Sequence, residues 1–437
     1  MVDALAAQIR DGRWPAGTRL PTHRRLAADE GIAVVTASRV YAELEAMGLV
    51  SSEQGRGTFV RDLTTGSGEV ADQRVVAADA VDLSFNSPSV PGQADLLRQA
   101  LRDLAKAGDL DALLRYQPHR GRADDRAAVA RHLRRRGLDV GRDRVLIVSG
   151  AQHGLAVTAM ALFRPGDVVA VDAVTYPGFM VLARTLGLDL APLPATGAGP
   201  DLDALDELCR RRRVRAVYAM PTLHNPLGWV LDDSQRSELV SIAQRHEATI
   251  IEDASYAYLV EDAPPPLAML APESTVYVSG LSKSVATGLR IGFVAAPARL
   301  VPALERAIRA TTWHTPGLTT AIASRWLDDG TVDSLEAQKR EDARRRQSIA
   351  REVLAGLPWV GHPSSYFLWL PLARDSRPDR IAATLARSGV AVSTAEQFAT
   401  TPTVPQALRL ALGSVGLTEL RDALEAVRQE VERDAYC

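Results

Sequence analysis

The chain has 437 residues, 46% of them hydrophobic and 24% charged, with a formal net charge of −2. That length exceeds one ordinary core and predicts two or three domains. The near-neutral balance excludes a protein that holds nucleic acid or membrane through bulk positive charge, so any such partner must meet a local patch. Two cysteines, Cys209 and Cys437, exclude a disulfide framework and fit a reducing compartment.

The opening residues, "MVDALAAQIRDGRW", lack a secretory core, and no apolar run reaches the ~18 residues that span a bilayer. A cytoplasmic protein without a membrane partner is expected. Leu5 and Ile9 give the first segment helical spacing. Thr22, after Pro21, is placed to cap a second helix running to about Glu30, with Gly31 as its stop. A third helix is predicted from about Thr36 to Met47, with Val40, Leu44 and Met47 on one face. "LVSSEQGRGTFV" (49–60) alternates about a Gly-Arg-Gly turn, the pattern of a β-hairpin. Residues 1–61 therefore form a small helical domain. Residues 62–82 are small, polar and glycine-containing and read as a linker.

From residue 83 to 437 the pattern is α/β. Strands are predicted at 144–150, 167–173, 215–220, 249–254, 275–280 and 292–297, separated mostly by helical stretches. Such a series builds a mainly parallel sheet covered on both faces. "YFLWLPL" and a final amphipathic helix near 417–433 suggest a smaller closing subdomain.

Chemistry-bearing residues fall at the carboxyl ends of these strands, where open α/β sheets bind ligands. In "VSGAQHGL", Gly150, Ala151 and Gln152 would offer backbone N–H groups at a helix N-terminus, a natural phosphate site; a plain strand-to-helix turn explains the stretch equally well. Asp253 ends an apolar strand, where a carboxylate needs a cation, a donor or a helix to cap. "SGLSKSVATGLRIG" (279–292) holds Lys283, one of only three lysines beside forty-eight arginines. A lysine near an arginine is held with a lowered pKa, ready to form a Schiff base. Lys106 and Lys339 lie in charged helical surroundings and read as solvated. His153 and His314 read as structural, and the arginine runs at 131–137 and 210–215 as solvated helix faces.

These stretches together resemble the fold-type I aminotransferases that use pyridoxal 5′-phosphate, whose core is a seven-stranded sheet. The resemblance implies that Lys283 forms the Schiff base and that Asp253 pairs with the ring nitrogen. It gives Asn225 ("HNPLG") and Tyr256 to the phenolic oxygen, and Tyr176 ("TYPGF") to the ring face. Arg290, Ser282, Gly150, Ala151 and Gln152 would hold the phosphate. Tyr116 ("RYQPHRG") would reach a neighbouring subunit's phosphate, and Arg409 ("ALRLALG") would grip an amino compound's carboxylate. No metal is expected. One departure stands out: relatives usually place a phosphate-binding serine where this chain has Gly280, and Ser279 and Ser282 are the candidates to compensate.

The first 61 residues carry eight arginines and seven acids, so net charge argues little about DNA. The distribution argues more: Arg19, Arg24, Arg25 and Arg39 gather around the second and third helices, whereas Glu43 and Glu45 fall later. The stretch resembles the winged helix-turn-helix of GntR regulators. By that resemblance the third helix enters the major groove, with Arg24, Thr36, Ser38 and Arg39 as DNA contacts and Arg56 on the wing. Many relatives carry Ser-Arg just before that helix, where this chain has Ala33-Val34.

A GntR reader joined to an aminotransferase-like body resembles the MocR subfamily of regulators. Such proteins are head-to-tail homodimers that bind pyridoxal phosphate, often an amino acid or amine, and an operator. The alternative is a working aminotransferase of amino-acid metabolism that carries a GntR-type head; the residues leave both open.

Overall fold

The computed structural model describes residues 1–15, 17–47, 49–53, 57–60, 80–107 and 109–435. Arg56, Arg61 and most of the expected linker (62–79 of 62–82) lie outside the described residues.

The head has three helices, α1 (Val2–Arg10), α2 (His23–Asp29) and α3 (Val34–Ala46). The hairpin strands β1 (Val50–Glu53) and β2 (Gly57–Val60) follow, paired in antiparallel fashion. Thr22 caps α2, its Oγ1 accepting from the Arg25 N–H at 3.3 Å. This satisfies one of the orphan N–H donors of the first turn. Ala6, Ile9, Leu26, Val40, Tyr41, Leu44 and Val60 close one apolar core. α3 begins at Val34, two residues earlier than its pattern suggested, because extended Ala33 already serves as the N-cap.

Beyond the head the chain forms β3 (Val81–Leu83), β4 (Val145–Val148), β5 (Val168–Asp172), β6 (Asp189–Leu193) and a short ribbon of β7 (Ala195–Thr196) and β8 (Gly199–Pro200). Then come β9 (Val214–Ala219), β10 (Thr249–Asp253), β11 (Thr275–Gly280) and β12 (Gly292–Ala295). Seven of these make one sheet in the order β4-β12-β11-β10-β9-β5-β6. All its neighbours are parallel except β12, which runs antiparallel to both β4 and β11. Nearly every residue of the central strands is buried, as expected when helices cover both faces and apolar runs are continuous rather than alternating. The six strands expected from the sequence are present. The seventh, β6, escaped notice because it lies at the sheet's edge, carries Asp189 and Pro192, and buries only Ala191 and Leu193.

The closing subdomain is a second sheet of β13 (Phe367–Pro371), β14 (Val390–Thr394) and β15 (Ala407–Ala411), ordered β13-β15-β14-β3. β3 is therefore its edge strand, parallel to β14 through Val81↔Val390. Val81 and Asp82, expected in the linker, are the first residues of that strand. Local composition hid this, since the pairing that orders them comes from residues 390–392. Helices Thr331–Val353 and Leu417–Ala435 pack on this sheet through Ala350, Leu420, Leu424 and Val427.

The head sits against the closing subdomain. Arg377, only 16% exposed at its side chain, faces Asp3, Glu43 and Asp379 at 3.8, 3.6 and 3.3 Å. Arg380 pairs with Glu43 at 2.7 Å and Arg10 with Glu396 at 2.5 Å. No helix among the described residues is long and apolar enough to cross a membrane.

Candidate functional site

The site forms where β4, β10 and β11 end. The chain leaves β4 and turns at Gly150, whose φ of +88° suits glycine, straight into helix Ala151–Leu162. The first-turn N–H groups of that helix have no partner within it and carry its positive dipole end. Arg290, itself left-handed at φ +51°, lays its guanidinium across Gly150: a Cβ there would come within 2.6 Å of Nη2. Its Nη1 donates to Ser282 Oγ at 3.2 Å. Gly150, Ala151, Gln152, Ser282 and Arg290 thus bring a helix N-terminus, a hydroxyl and a guanidinium to one place. Gln152 Nε2 is spent on the Gly178 carbonyl at 2.9 Å, while its buried Oε1 has no protein donor.

Lys283 lies in the four-residue helix Leu281–Ser284 that follows β11. Its Nζ donates to the Asn86 carbonyl at 2.5 Å and sits 4.5 Å from the centre of the Phe85 ring. Its own carbonyl accepts from Tyr258 Oη at 2.8 Å and from Lys339 Nζ at 3.0 Å. Some of the side chain reaches solvent, yet protein surrounds the amine. Burial first, then Arg409, Arg290 and Lys339, push it down to about 7. Much of it is therefore free base at neutral pH, the form that attacks a carbonyl. Capture of pyridoxal phosphate by the cofactor-free chain should rise with pH through a midpoint near 7, followed by stopped-flow absorbance. Arg409→Met should move that midpoint upward. A midpoint near that of free lysine in both proteins would contradict this.

Asp253, buried at the end of β10, accepts from Tyr218 Oη at 2.9 Å through Oδ2. Its Oδ1 accepts from Ser255 N and Oγ at 3.0 and 2.6 Å. Burial raises its pKa against the pull of Ser255 and Tyr218. Tyr256 is buried within hydrogen-bonding reach of the Asn86 and Arg409 side chains. Asn225 is buried with Oδ1 unpartnered. Arg409, on β15, is buried between the rings of Phe367 and Phe398, 5.1 and 5.9 Å from Cζ. Its Nη1 donates to Ser84 O at 3.1 Å, and its Nε has no partner. Tyr176 precedes helix Pro177–Thr185 with its ring over Gly178. Tyr116 stands apart, 82% exposed against Trp313 and His314 on the outer surface.

Three sequence expectations change. Lys339 is not solvated: it is fully buried and donates to the carbonyls of Pro88, Lys283 and Val285 at 2.9, 3.0 and 2.7 Å. Ser279 does not face the anion spot, because its Oγ is buried and bonded to Ala254 O; of the two candidate substitutes only Ser282 is in place. His132, within a run read as a solvated face, is buried beneath it. Sequence reasoning also missed Asn86, Tyr218 and Tyr258. Tyr218, the one hydroxyl in the apolar run "RAVYAM", was the only one of the three with a signal.

Gly280 has a physical reason. A Cβ there would lie 2.9 Å from Ile291 O, 3.2 Å from Gly292 Cα and 3.3 Å from Ala151 N, all backbone. Gly280→Ser should therefore cost about 1–3 kcal/mol as an overpacked site. The melting temperature should fall by several degrees on calorimetry, with weaker cofactor retention on dialysis. An unchanged melting point would refute the packing argument.

The pocket suits pyridoxal phosphate by its own chemistry: a free-base lysine, a dipole-and-arginine anion spot, a buried carboxylate, and unpartnered polar atoms on Asn225 and Arg409. Residues 78–427 match the family described as aminotransferase class I and II. The chain belongs to that family. Its cofactor is accordingly pyridoxal 5′-phosphate.

Residues 1–60 match the gntR family of bacterial regulatory proteins. An HTH-type transcriptional regulator of Bacillus subtilis, YdeF, is 28% identical across 98% of this chain and 93% of its own length. The HTH-type transcriptional regulator TauR of Rhodobacter capsulatus is 29% identical across 89% and 87%. LysN, an alpha-aminoadipate aminotransferase of Thermus thermophilus, superposes with a TM-score of 0.76 at 23% identity, covering 85% of this chain and 97% of that one. A gntR-type DNA-binding head joined to an aminotransferase-like body is the MocR arrangement of transcriptional regulators.

On the head of this family member, Arg24, Thr36 and Arg39 are exposed. Ser38 is half-buried on the same helix: its Oγ donates to Val34 O and lies 3.0 Å from His23 Nδ1. Val35, missed by sequence reasoning, is 73% exposed at the start of α3. Contacts with the closing subdomain use α1 and the far end of α3, so this face stays open.

Proposed function

We propose that the chain is a cytoplasmic, head-to-tail homodimeric regulator whose body binds an amino acid or amine beside pyridoxal phosphate and so changes how its heads hold an operator. When bound, the cofactor supplies a carbonyl that condenses with amines and an electron-withdrawing ring. Lys283 would hold it covalently. Asp253 would keep a proton at the ring nitrogen, Asn225 and Tyr256 would orient the phenolic oxygen, and Tyr176 would cover the ring. The Gly150–Gln152 turn, Ser282 and Arg290 would hold the phosphate, joined across the dimer by Tyr116. Arg409 would take the ligand's carboxylate as a planar donor pair. In the head, Arg24, Thr36, Ser38, Arg39 and Arg56 would meet DNA, with phosphate contacts making affinity fall steeply with salt.

The observation that carries this reading is the docking of the head on the closing subdomain. Phe398 packs over Arg409, and Glu396, two residues earlier, pairs with Arg10 of α1. A ligand that moves Arg409 and its strand would shift the surface that positions the head. Ligand and operator affinities then become reciprocal, typically by 5–150-fold. The test is fluorescence anisotropy of upstream DNA with and without pyridoxal phosphate and a panel of amines and amino acids. Operator affinity that never changes would overturn the proposal. The second reading, a working aminotransferase, is favoured by the completeness of the Lys283, Asp253, Asn225 and Arg409 set. It predicts sustained turnover of an amino acid with a 2-oxo acid.

A further inference from the structure

Adjacent residues of a strand point to opposite faces of a sheet. Asp253 faces the cofactor pocket, so Glu252 faces the other way. There it borders a separate cleft of about 690 Å³ between β10, β11 and helices Ala123–Arg135 and Thr331–Val353. Its buried polar members are His132, Thr222, Glu252, Tyr258, Tyr277 and Glu336. Val260, Pro264, Pro265 and Met269 supply an apolar wall.

The charges of this cleft are unevenly matched. Arg135 pairs with Asp333 at 3.3 Å, Arg136 with Glu336, and Arg340 with Glu261 at 3.3 Å. Each arginine has its acid, and Glu252 is a fourth carboxyl without an ion pair. Its Oε2 accepts from the Ala268 N–H at 2.9 Å. Arg236, the cation that acts on it, spends its donors on the carbonyls of Leu231, Pro265 and Pro221 and on Thr222 Oγ1. His132 is nearly fully buried, and its Nδ1 has no partner. Burial, with Arg136 and Arg135 nearby, keeps its imidazole neutral, so it adds no cation to the cleft. The cleft therefore has a surplus carboxyl and an unpartnered imidazole nitrogen, and its cations are already spent. A buried acceptor or carboxyl left unmatched is costly.

We infer that this cleft is a second binding site, for a small ammonium ion that carries an apolar body. The ammonium N–H meets the Glu252 carboxylate, and the body lies on the proline–methionine wall. The site communicates with the cofactor lysine by one residue: Tyr258 lines the cleft and donates to Lys283 O, while Arg340 donates to Tyr258 O at 3.0 Å. Occupancy should be felt as a change in the visible spectrum of the cofactor-loaded protein.

Burial raises Glu252 to about 7, against the Ala268 and Leu267 N–H groups and Arg236, with Asp253 raising it further. Tyr277 on β11 and the Arg136–Glu336 pair also face it. A proton and the ammonium ion compete for this carboxyl, so affinity should be higher on the alkaline side of 7 than on the acid side.

The experiment is isothermal titration of the full-length, cofactor-loaded protein with N,N-dimethylbenzylammonium chloride. This tertiary ammonium has one N–H and cannot form an imine, so the cofactor pocket does not consume it. Glu252→Gln keeps the acceptor for Ala268 N–H and removes the charge. Met269→Trp obstructs the mouth from a residue that is 52% exposed and tolerant of change. Saturable binding to the parent protein is expected, weakened by an order of magnitude or more in Glu252→Gln, lost in Met269→Trp, and weaker at acid pH. If Glu252→Gln does not fold, as judged by circular dichroism, Met269→Trp and the pH series decide. Absence of saturable binding to the parent protein, or equal affinity in the variants, overturns the site. Loss in Met269→Trp with no change in Glu252→Gln, or affinity indifferent to pH, overturns the ammonium assignment.

Discussion

Lys283→Ala is expected to abolish covalent capture of pyridoxal phosphate while leaving the chain folded. Borohydride reduction followed by mass analysis should find the cofactor stoichiometrically on the parent chain and none on the variant. The test is unusually clean because the sequence holds only two other lysines. Lys106 lies on a helix of the body, and Lys339 has its amine occupied by three carbonyls. A label that persists on either would refute the assignment. The same variant has a stability signature. In the cofactor-free parent, Lys283 is depressed to about 7 from 10.5, so the unfolded chain binds the extra proton between those values. Stability conferred through this group should therefore rise across that window by up to about 1.4 kcal/mol per pH unit, and be flat below it. The variant lacks this slope. Lys339, depressed to about 8, contributes with the same sign to both proteins and cancels in the comparison.

The second large effect concerns the head. Arg377→Ala combined with Glu396→Gln should uncouple ligand from operator. An isolated surface ion pair contributes little, but Arg377 is mostly buried among three acids, and Glu43 is shared with Arg380. These contacts, with Arg10–Glu396, are what tie α1 and α3 to the subdomain that carries Arg409. In the double variant, a ligand effect of 5–150-fold on operator affinity should shrink to about twofold or less, measured by anisotropy. Cofactor loading and DNA affinity without ligand should persist, since neither residue lies in the pocket or on the exposed face of α3. A ligand effect of undiminished size would exclude this route.

Much of the architecture was readable because the central strands are buried on both faces and appear as continuous apolar runs. The head's helices were readable from Thr22, Gly31 and the Val40–Leu44–Met47 stripe. Lys283 was singled out by rarity and by its neighbours in order: Asn225, Asp253, Tyr256 and Arg290. Edge elements were harder. β6 has a proline and a surface aspartate, and β3 is ordered only by a strand three hundred residues later. The polar shell was hardest, because each of its partners is distant in sequence. Nothing local tells that the Asn86 carbonyl meets Lys283, that Tyr218 holds Asp253, or that Lys339 donates to the Lys283 carbonyl.

By itself, then, the order of residues determined the two-part plan, the strands of the covered sheet and the types of group gathered at the strand ends, because apolar periodicity and motif spacing are properties of contiguous chain. Only the tertiary structure decided which serine faces the anion spot, why Gly280 admits no side chain, that Lys339 is buried, and that Glu252 looks into a second cleft. Those outcomes depend on close approach of backbones and on the local shortage of donors or cations, and distant segments set both only once they pack.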